Sequence, residues 1–231
     1  KVYITSRKEK DCFYKAEKLS KEYNSECVAI PEDVSTLTGI DKLFDKFCKY
    51  ENNLDILVNN AGAVWGQPLQ DFSEQGWDKV IDLNVKSIFF LIKKFLDLLK
   101  SNSNKNNYSR VINIGSIDGI NTPYYENYSY SIAKAAVHKL TRVIAAKLIK
   151  DFIICNAIAP GPFPSKMLGS AVEHDYTVIS KKNPSKRVGE PEDIAGIALF
   201  LSSRASQYTV GEVITCDGGL VVSAGHDLTN N

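Results

Sequence analysis

The chain lacks paired cysteines and carries almost no net charge, and each absence removes a class of function. Its five cysteines, Cys12, Cys27, Cys48, Cys155 and Cys216, lie far apart with no CxxC spacing. Neither a zinc site nor a compact disulfide framework is expected, and a reducing, cytoplasmic compartment follows. The three histidines, His138, His174 and His226, are equally scattered and read as ordinary helix or loop residues, so no metal site is expected. The formal net charge is +1, which leaves no bulk field to concentrate phosphate backbones or anionic lipid, so neither nucleic acid nor membrane is expected as a partner. The densest basic stretch, residues 181–187, reads as a solvated loop. The longest apolar runs, such as Ser87 to Phe95, fall far short of the ~20 residues of a membrane span. The N-terminus has no charged start followed by an apolar signal segment.

What is present reads as one α/β domain over residues 1–231, with 44% hydrophobic residues to build a single core. Short β-branched runs alternate with longer helical patterns, the signature of a doubly wound parallel sheet with helices on both faces. Expected strands are Val2–Thr5, Glu26–Ile30, Leu54–Asn59, Arg110–Gly115, Ile153–Ala159 and Val213–Cys216. Expected helices cover Asp11–Tyr23, Thr38–Lys49, Ser73–Lys100, Tyr128–Lys150, a looser stretch near Lys166–Ser180, and Pro191–Ser203, where Pro191 suits a first helical turn. Ser101 to Asn107 reads as a solvated loop.

Tyr130 and Lys134 stand four residues apart, so on a helix they share a face. A phenol with a pKa near 10 exchanges protons poorly at neutral pH, and an adjacent ammonium lowers that value. The pair alone is equally compatible with an ordinary helix surface. The strand ending at Gly115 delivers the Ser116 hydroxyl to the carboxyl edge of the sheet, where open α/β folds place their ligands. Asn84 sits inside an apolar helical pattern although asparagine competes for backbone hydrogen bonds there, so it either serves the site or caps a local kink.

Taken together, Asn59-Asn60-Ala61-Gly62, Asn84-Val85, Ser116, Tyr130 with Lys134, Pro160-Gly161 and Asp217-Gly218-Gly219 resemble the ordered motifs of the short-chain dehydrogenase/reductase family over nearly the whole chain. The resemblance implies a Rossmann-like three-layer sandwich. It also implies a reaction in which Tyr130 protonates a carbonyl oxygen as hydride arrives from a nicotinamide, or takes the proton in the reverse oxidation. Ser116 would orient that oxygen. Lys134 would lower the Tyr130 pKa and bind the nicotinamide ribose, and Asn84 would hold a water linking Lys134 to solvent. Asp33, with Val34 beside it, would meet the adenine edge. Asn60, Ala61 and Gly62 would meet the adenosine ribose, and Pro160, Gly161 and Phe163 the carboxamide region. Tyr124, Tyr125 and Tyr128 have no lysine four positions later and would line the substrate mouth or pack locally.

A family member would begin with a strand, a glycine-rich turn and a helix that holds the cofactor pyrophosphate. Here the opening residues resemble the family's second strand, so the first strand and helix, roughly 25 residues, are expected to be missing, leaving a gap in the sheet. A fragment of a longer protein and a truncated form with weak cofactor binding are the two explanations. After the opening strand, Ser6 and Arg7 suit a 2′-phosphate, so NADP(H) is the expected cofactor. Pro164-Ser165-Lys166-Met167 resembles the 3-oxoacyl-carrier-protein reductases of the rhamnolipid type. Leu168, Ala171, Val172, Tyr176, Val178 and Ile179 favour an apolar or mixed substrate under a lid. Reduction of a 3-oxoacyl thioester or ketone is expected, with a sugar or polyol dehydrogenase and a non-catalytic subunit as the alternatives. A homodimer or homotetramer is expected through the Asn84 and Tyr130 helices.

Overall fold

Residues 1–123, 125–165 and 175–223 are described by the computed structural model. Six parallel strands form, β1 Val2–Ile4, β2 Cys27–Ala29, β3 Ile56–Asn59, β4 Ser109–Ile114, β5 Ile153–Pro160 and β6 Val213–Cys216. They pair in two sheets, β1-β2 and β3-β4-β5-β6. The expected gap lies between β1 and β3, which share no backbone hydrogen bonds among the described residues. Half of Val58 in β3 is solvent-exposed at that open edge. Side chains join the two sheets instead: Tyr3 and Val28 pack with Leu57, Leu83, Leu91 and Phe95 in one apolar cluster.

Helices α1 Glu9–Tyr23, α2 Leu37–Phe47, α3 Glu74–Ile81, α4 Ser87–Ser101, α5 Tyr128–Leu148, α6 Thr177–Lys182, α7 Pro191–Ser202 and α8 Leu220–Ser223 complete the fold. Short polar side chains start several of them. Thr36 accepts from Gly39 N at 3.0 Å, Ser73 accepts from Gly76 N at 3.2 Å, and a Glu190–Asp193 capping box precedes α7. Strand alternation then sorts the layers. Val111 and Cys155 face α4 and α5, packing with Ile88, Ile92, Leu99 and Val137. Ile112 and Ile158 face α7 and pack on Leu201. Polar cross-links run through the buried sheet: Asn59 Nδ2 donates to Asn113 Oδ1 at 2.8 Å, and Asn113 Nδ2 donates to Thr141 of α5 at 2.9 Å.

One expectation needs correction. The helix expected over Ser73–Lys100 is interrupted by a π-helical turn at Asp82–Lys86. Asn84 explains it, because Nδ2 donates to the Val80 carbonyl at 2.9 Å and to the Ala63 carbonyl at 2.7 Å, inserting a side chain into the helical ladder. The looser helix near Lys166–Ser180 is described only as Thr177–Lys182. Lys166, Met167, Leu168, Ala171, Val172, His174, Tyr124 and His226 lie outside the described residues.

Leu99 is fully buried among Val111, Leu148 and Ile153. Leu99→Ala should cost about 2–5 kcal/mol in urea denaturation; a loss below about 1 kcal/mol would show that this cluster is not the packed core.

Candidate active site

β4 ends at the carboxyl edge of the larger sheet, and the chain turns sharply there. Ser116 is nearly buried, and its Oγ accepts from Asp118 N at 3.2 Å, which fixes the turn. Tyr130, in the first turn of α5, stands near enough for the Ser116 hydroxyl to favour its phenolate. One turn later, Lys134 is 4% exposed; its Nζ donates to the Ile114 carbonyl at 2.8 Å and lies 5.4 Å from the Tyr130 ring centroid. Serine, tyrosine and lysine therefore meet across one strand end and one helix face, as their spacing suggested.

The electrostatics run differently from the expectation. The Tyr130 pKa is raised, chiefly by burial and further by the Asp118 charge, with only the Ser116 hydrogen bond opposing. Burial outweighs the lowering expected from Lys134, whose ammonium sits by the ring and is bonded to the Ile114 carbonyl. Burial instead lowers the Lys134 pKa to about 8, against the pull of Asp118. The Asp118 carboxyl is itself raised by burial, with an Asn127 hydrogen bond and Lys134 opposing.

Asn84 is fully buried, and its Oδ1 accepts from Ala63 N at 3.3 Å. A Cβ placed on Gly62 would lie 2.9 Å from that oxygen and 3.9 Å from Lys134 Nζ. Asn84, the end of the 59–62 segment and Lys134 thus converge, and only glycine fits at 62.

The residues expected to meet a cofactor divide. Asn60, Ala61 and Gly62 are exposed at the end of β3, and the buried Asn59 Oδ1 beside them has no partner. Ser6 and Arg7 are exposed at the end of β1, and Arg7 reaches Asp33 at 4.0 Å. Asp33 also accepts from Ser35 N and Oγ at 3.0 and 2.7 Å. Gly161 N donates to Cys216 O at 2.9 Å, and a Cβ at 161 would lie 2.8 Å from Asp217 Cα, so Pro160-Gly161 packs flat on the terminal turn. Val34 is buried in the core with Ile40 and Phe47. Phe163 lies so close to Gly189 that a Cβ there would clash with its ring, and it lines a cavity of about 290 Å³ whose walls include none of Ser116, Tyr130 and Lys134. Tyr128 packs locally: its hydroxyl donates to Glu126 at 3.1 Å and its ring meets Phe72 edge-on.

The sequence reading missed Asp118, Asn127 and His138, which all touch the Ser116 turn. The signal was spacing, because Asp118 lies two residues beyond Ser116 and His138 one helical turn beyond Lys134.

A doubly wound α/β fold that gathers a serine, a tyrosine and a lysine at its strand ends defines the dehydrogenase/reductase class of α/β proteins. A family model described as enoyl-(acyl carrier protein) reductase matches residues 1–221. The chain is 40% identical over 225 residues to the rhamnolipids biosynthesis 3-oxoacyl-[acyl-carrier-protein] reductase of Pseudomonas aeruginosa, covering 95% of this chain and 86% of that one. It is 35% identical over 198 residues to the 2-dehydro-3-deoxy-D-gluconate 5-dehydrogenase of Escherichia coli, covering 83% and 75%. The solved Pseudomonas aeruginosa RhlG/NADP active-site complex superposes with a TM-score of 0.90 at 39% identity, covering 95% and 86%. The chain belongs to the short-chain dehydrogenase/reductase family of oxidoreductases.

Burial of the Lys134 ammonium costs stability. Its folded pKa of about 8 lies below the ordinary 10.5, so the penalty is full below pH 8 and fades as pH rises toward 10.5. Lys134→Met should therefore raise stability by about 1–3 kcal/mol at pH 7. The gain should shrink between pH 8 and 10.5 in denaturant titrations; a gain that instead grew with pH would contradict a depressed Lys134.

Proposed function

We propose that this chain is an NADP(H)-dependent reductase that converts the ketone of a 3-oxoacyl thioester, or a similar ketone, to the alcohol. The observation that carries this reading is the meeting of Ser116 and Tyr130 at one strand end, with Lys134 buried beside the tyrosine ring. A Tyr130 pKa raised above 10 keeps the phenol protonated at neutral pH, which suits it as the acid that protonates a carbonyl oxygen. Ser116 Oγ donates to the same oxygen and holds it in line with the phenol. Lys134, mostly ammonium at pH 7, places positive charge under the oxyanion as it forms and is the residue to hold ribose hydroxyls. Asn84 holds the 60–63 segment in place beside Lys134, and a water on it would complete a proton path to solvent.

The residues present fit a dinucleotide. Ser6 and Arg7 offer a hydroxyl and a guanidinium to a 2′-phosphate, and Asn60-Ala61-Gly62 form an exposed cradle in which a side chain at 62 would collide with Asn84. Once bound, the cofactor supplies the hydride. The Pseudomonas aeruginosa relative, named as a 3-oxoacyl reductase and solved with NADP, supports both assignments.

A sugar or polyol dehydrogenase is the second reading. Asp118 favours it, because a carboxylate near Tyr130 and Lys134 would accept hydrogen bonds from extra hydroxyls. A gluconate 5-dehydrogenase of Burkholderia cenocepacia solved with NADP and tartrate has the same fold at a TM-score of 0.85 and 26% identity. NADPH oxidation should be followed with acetoacetyl thioesters and with keto-gluconates. Faster turnover of the thioester, and loss of about 100-fold or more in kcat for Tyr130→Phe, are the expected results. Preference for the keto-sugar would hand the assignment to the second reading, and a Tyr130→Phe rate within twofold of the parent would remove Tyr130 as the acid.

The protein is also proposed to act as a homo-oligomer. Phe89 on α4 and Ile132 and Val143 on α5 are 42%, 51% and 46% exposed, apolar area that a second copy would cover. Sedimentation at micromolar concentration should show a dimer or tetramer, and a monomer would contradict this.

A further inference from the structure

Helix α5 grips the Ser116 turn at four points. Lys134 Nζ donates to the Ile114 carbonyl at 2.8 Å, and Asn127 Nδ2 donates to Asp118 Oδ2 at 3.1 Å. Gly119 lies directly on the helix backbone, where a Cβ would come within 2.6 Å of the Lys134 carbonyl carbon and the Ala135 nitrogen. The fourth contact is His138, 7% exposed, whose Nε2 would lie 2.3 Å from a Cβ at Gly115 and whose protonated form the Gly119 backbone favours.

One feature of His138 has no place in the proposed reaction. Its Nε2 is buried and has no hydrogen-bond partner. A proton on Nε2 would meet the Gly115 backbone, where the nearest carbonyl, that of Ile158, already accepts from Gly115 N at 2.7 Å. The neutral ring therefore keeps its proton on Nδ1, toward Gly119, and leaves an Nε2 lone pair against Gly115. The surroundings agree. Lys134 and Arg142, on the same helix, oppose a further positive charge, and Lys139 joins Arg142 in lining the adjoining cavity. From the other elements the neighbours are the Ile158 backbone of β5, the apolar Val213 of β6, and Asp118 on the turn itself, whose carboxylate is bonded to Asn127. One imidazole thus braces both ends of the five-residue turn, Gly115 by contact and Gly119 through its backbone.

We propose that His138 is a positioning residue which, as a neutral Nδ1–H imidazole wedged between Gly115 and Gly119, holds Ser116 Oγ in register with Tyr130. The proposal rests on the reading of Ser116 and Tyr130 as the groups that receive the carbonyl oxygen. It touches no reacting atom; it acts through the backbone of the turn. Small displacements of such a group cost about 10²-fold in rate.

The test uses the full chain and three variants, His138→Ala, His138→Asn and Ser116→Ala, with NADPH oxidation by an acetoacetyl thioester, melting temperature, and nitrogen NMR shifts of the His138 ring. The ring should report Nδ1–H at neutral pH. His138→Ala should lower kcat by about 10- to 100-fold with KM within about threefold and little change in melting temperature. His138→Asn, whose amide can still donate to the Gly119 carbonyl, should recover most of the rate. An Nε2–H tautomer would overturn the proposal, with or without measurable activity. So would a His138→Ala kcat within twofold of the parent while Ser116→Ala has lost its rate, or equal losses in the Ala and Asn variants that track melting temperature. If Ser116→Ala itself retains the parent rate, the underlying reading of the site fails, and the tautomer alone decides whether the brace exists.

Discussion

The burial of a lysine ammonium against the end of a β-strand is the constraint around which the rest of the site is arranged. Lys134 has surrendered most of its hydration and receives in return one carbonyl, that of Ile114, and the face of one aromatic ring. Such a group is unfavourable unless its surroundings are held rigidly, because a charge in a low-dielectric site gains only from partners that stay in place. That rigidity comes from close backbone packing. Gly115 and Gly119 let the Ser116 turn lie on α5 at distances no side chain would permit, and the turn carries Ser116 to the tyrosine. The same constraint explains the raised Tyr130 and lowered Lys134. Both groups are driven toward their neutral forms by burial; the nearby Asp118 carboxylate, which favours the protonated form of each, reinforces burial at Tyr130 and opposes it at Lys134.

A second level of organisation lies in how the two sheets are joined. Among the described residues β1 and β2 pair only with each other, so their place beside the larger sheet depends on Tyr3, Val28, Phe47, Leu57 and Phe95 rather than on backbone hydrogen bonds. Ser6 and Arg7 follow β1, whereas Asn60 to Gly62 follow β3, so the two parts of the proposed cofactor cradle stand on different sheets. Apolar packing, being non-directional, sets their mutual position less sharply than a ladder of hydrogen bonds would. Ser116, Tyr130 and Lys134, by contrast, stand entirely on the four-stranded sheet and α5, where Asn59, Asn113 and Thr141 cross-link the layers.

Much of this was legible in the residues. Alternation within β4 and β5, capping by Thr36, Ser73 and Glu190, and the four-residue step from Tyr130 to Lys134 are local properties, and local properties survive in any context that keeps the element intact. Asn84 was legible as an anomaly, though its answer needed the structure. A polar residue in an apolar helix signals competition with the backbone, but that Ala63 is the partner depends on a contact between segments twenty-one residues apart. The burial of Val34 beside Ile40 and Phe47 was not legible, because it depends on residues brought together from other elements.

Periodicity and motif spacing, carried by residues close together along the chain, sufficed for the order of strands and helices, for the family, and for naming the candidate reacting groups. Only the tertiary structure decided the protonation tendencies of those groups and the part played by Asp118, Asn127 and His138. A pKa depends on burial and on charges brought near through space. His138 looks like any helix residue until Gly115 and Gly119, arriving from a different strand, close around its ring.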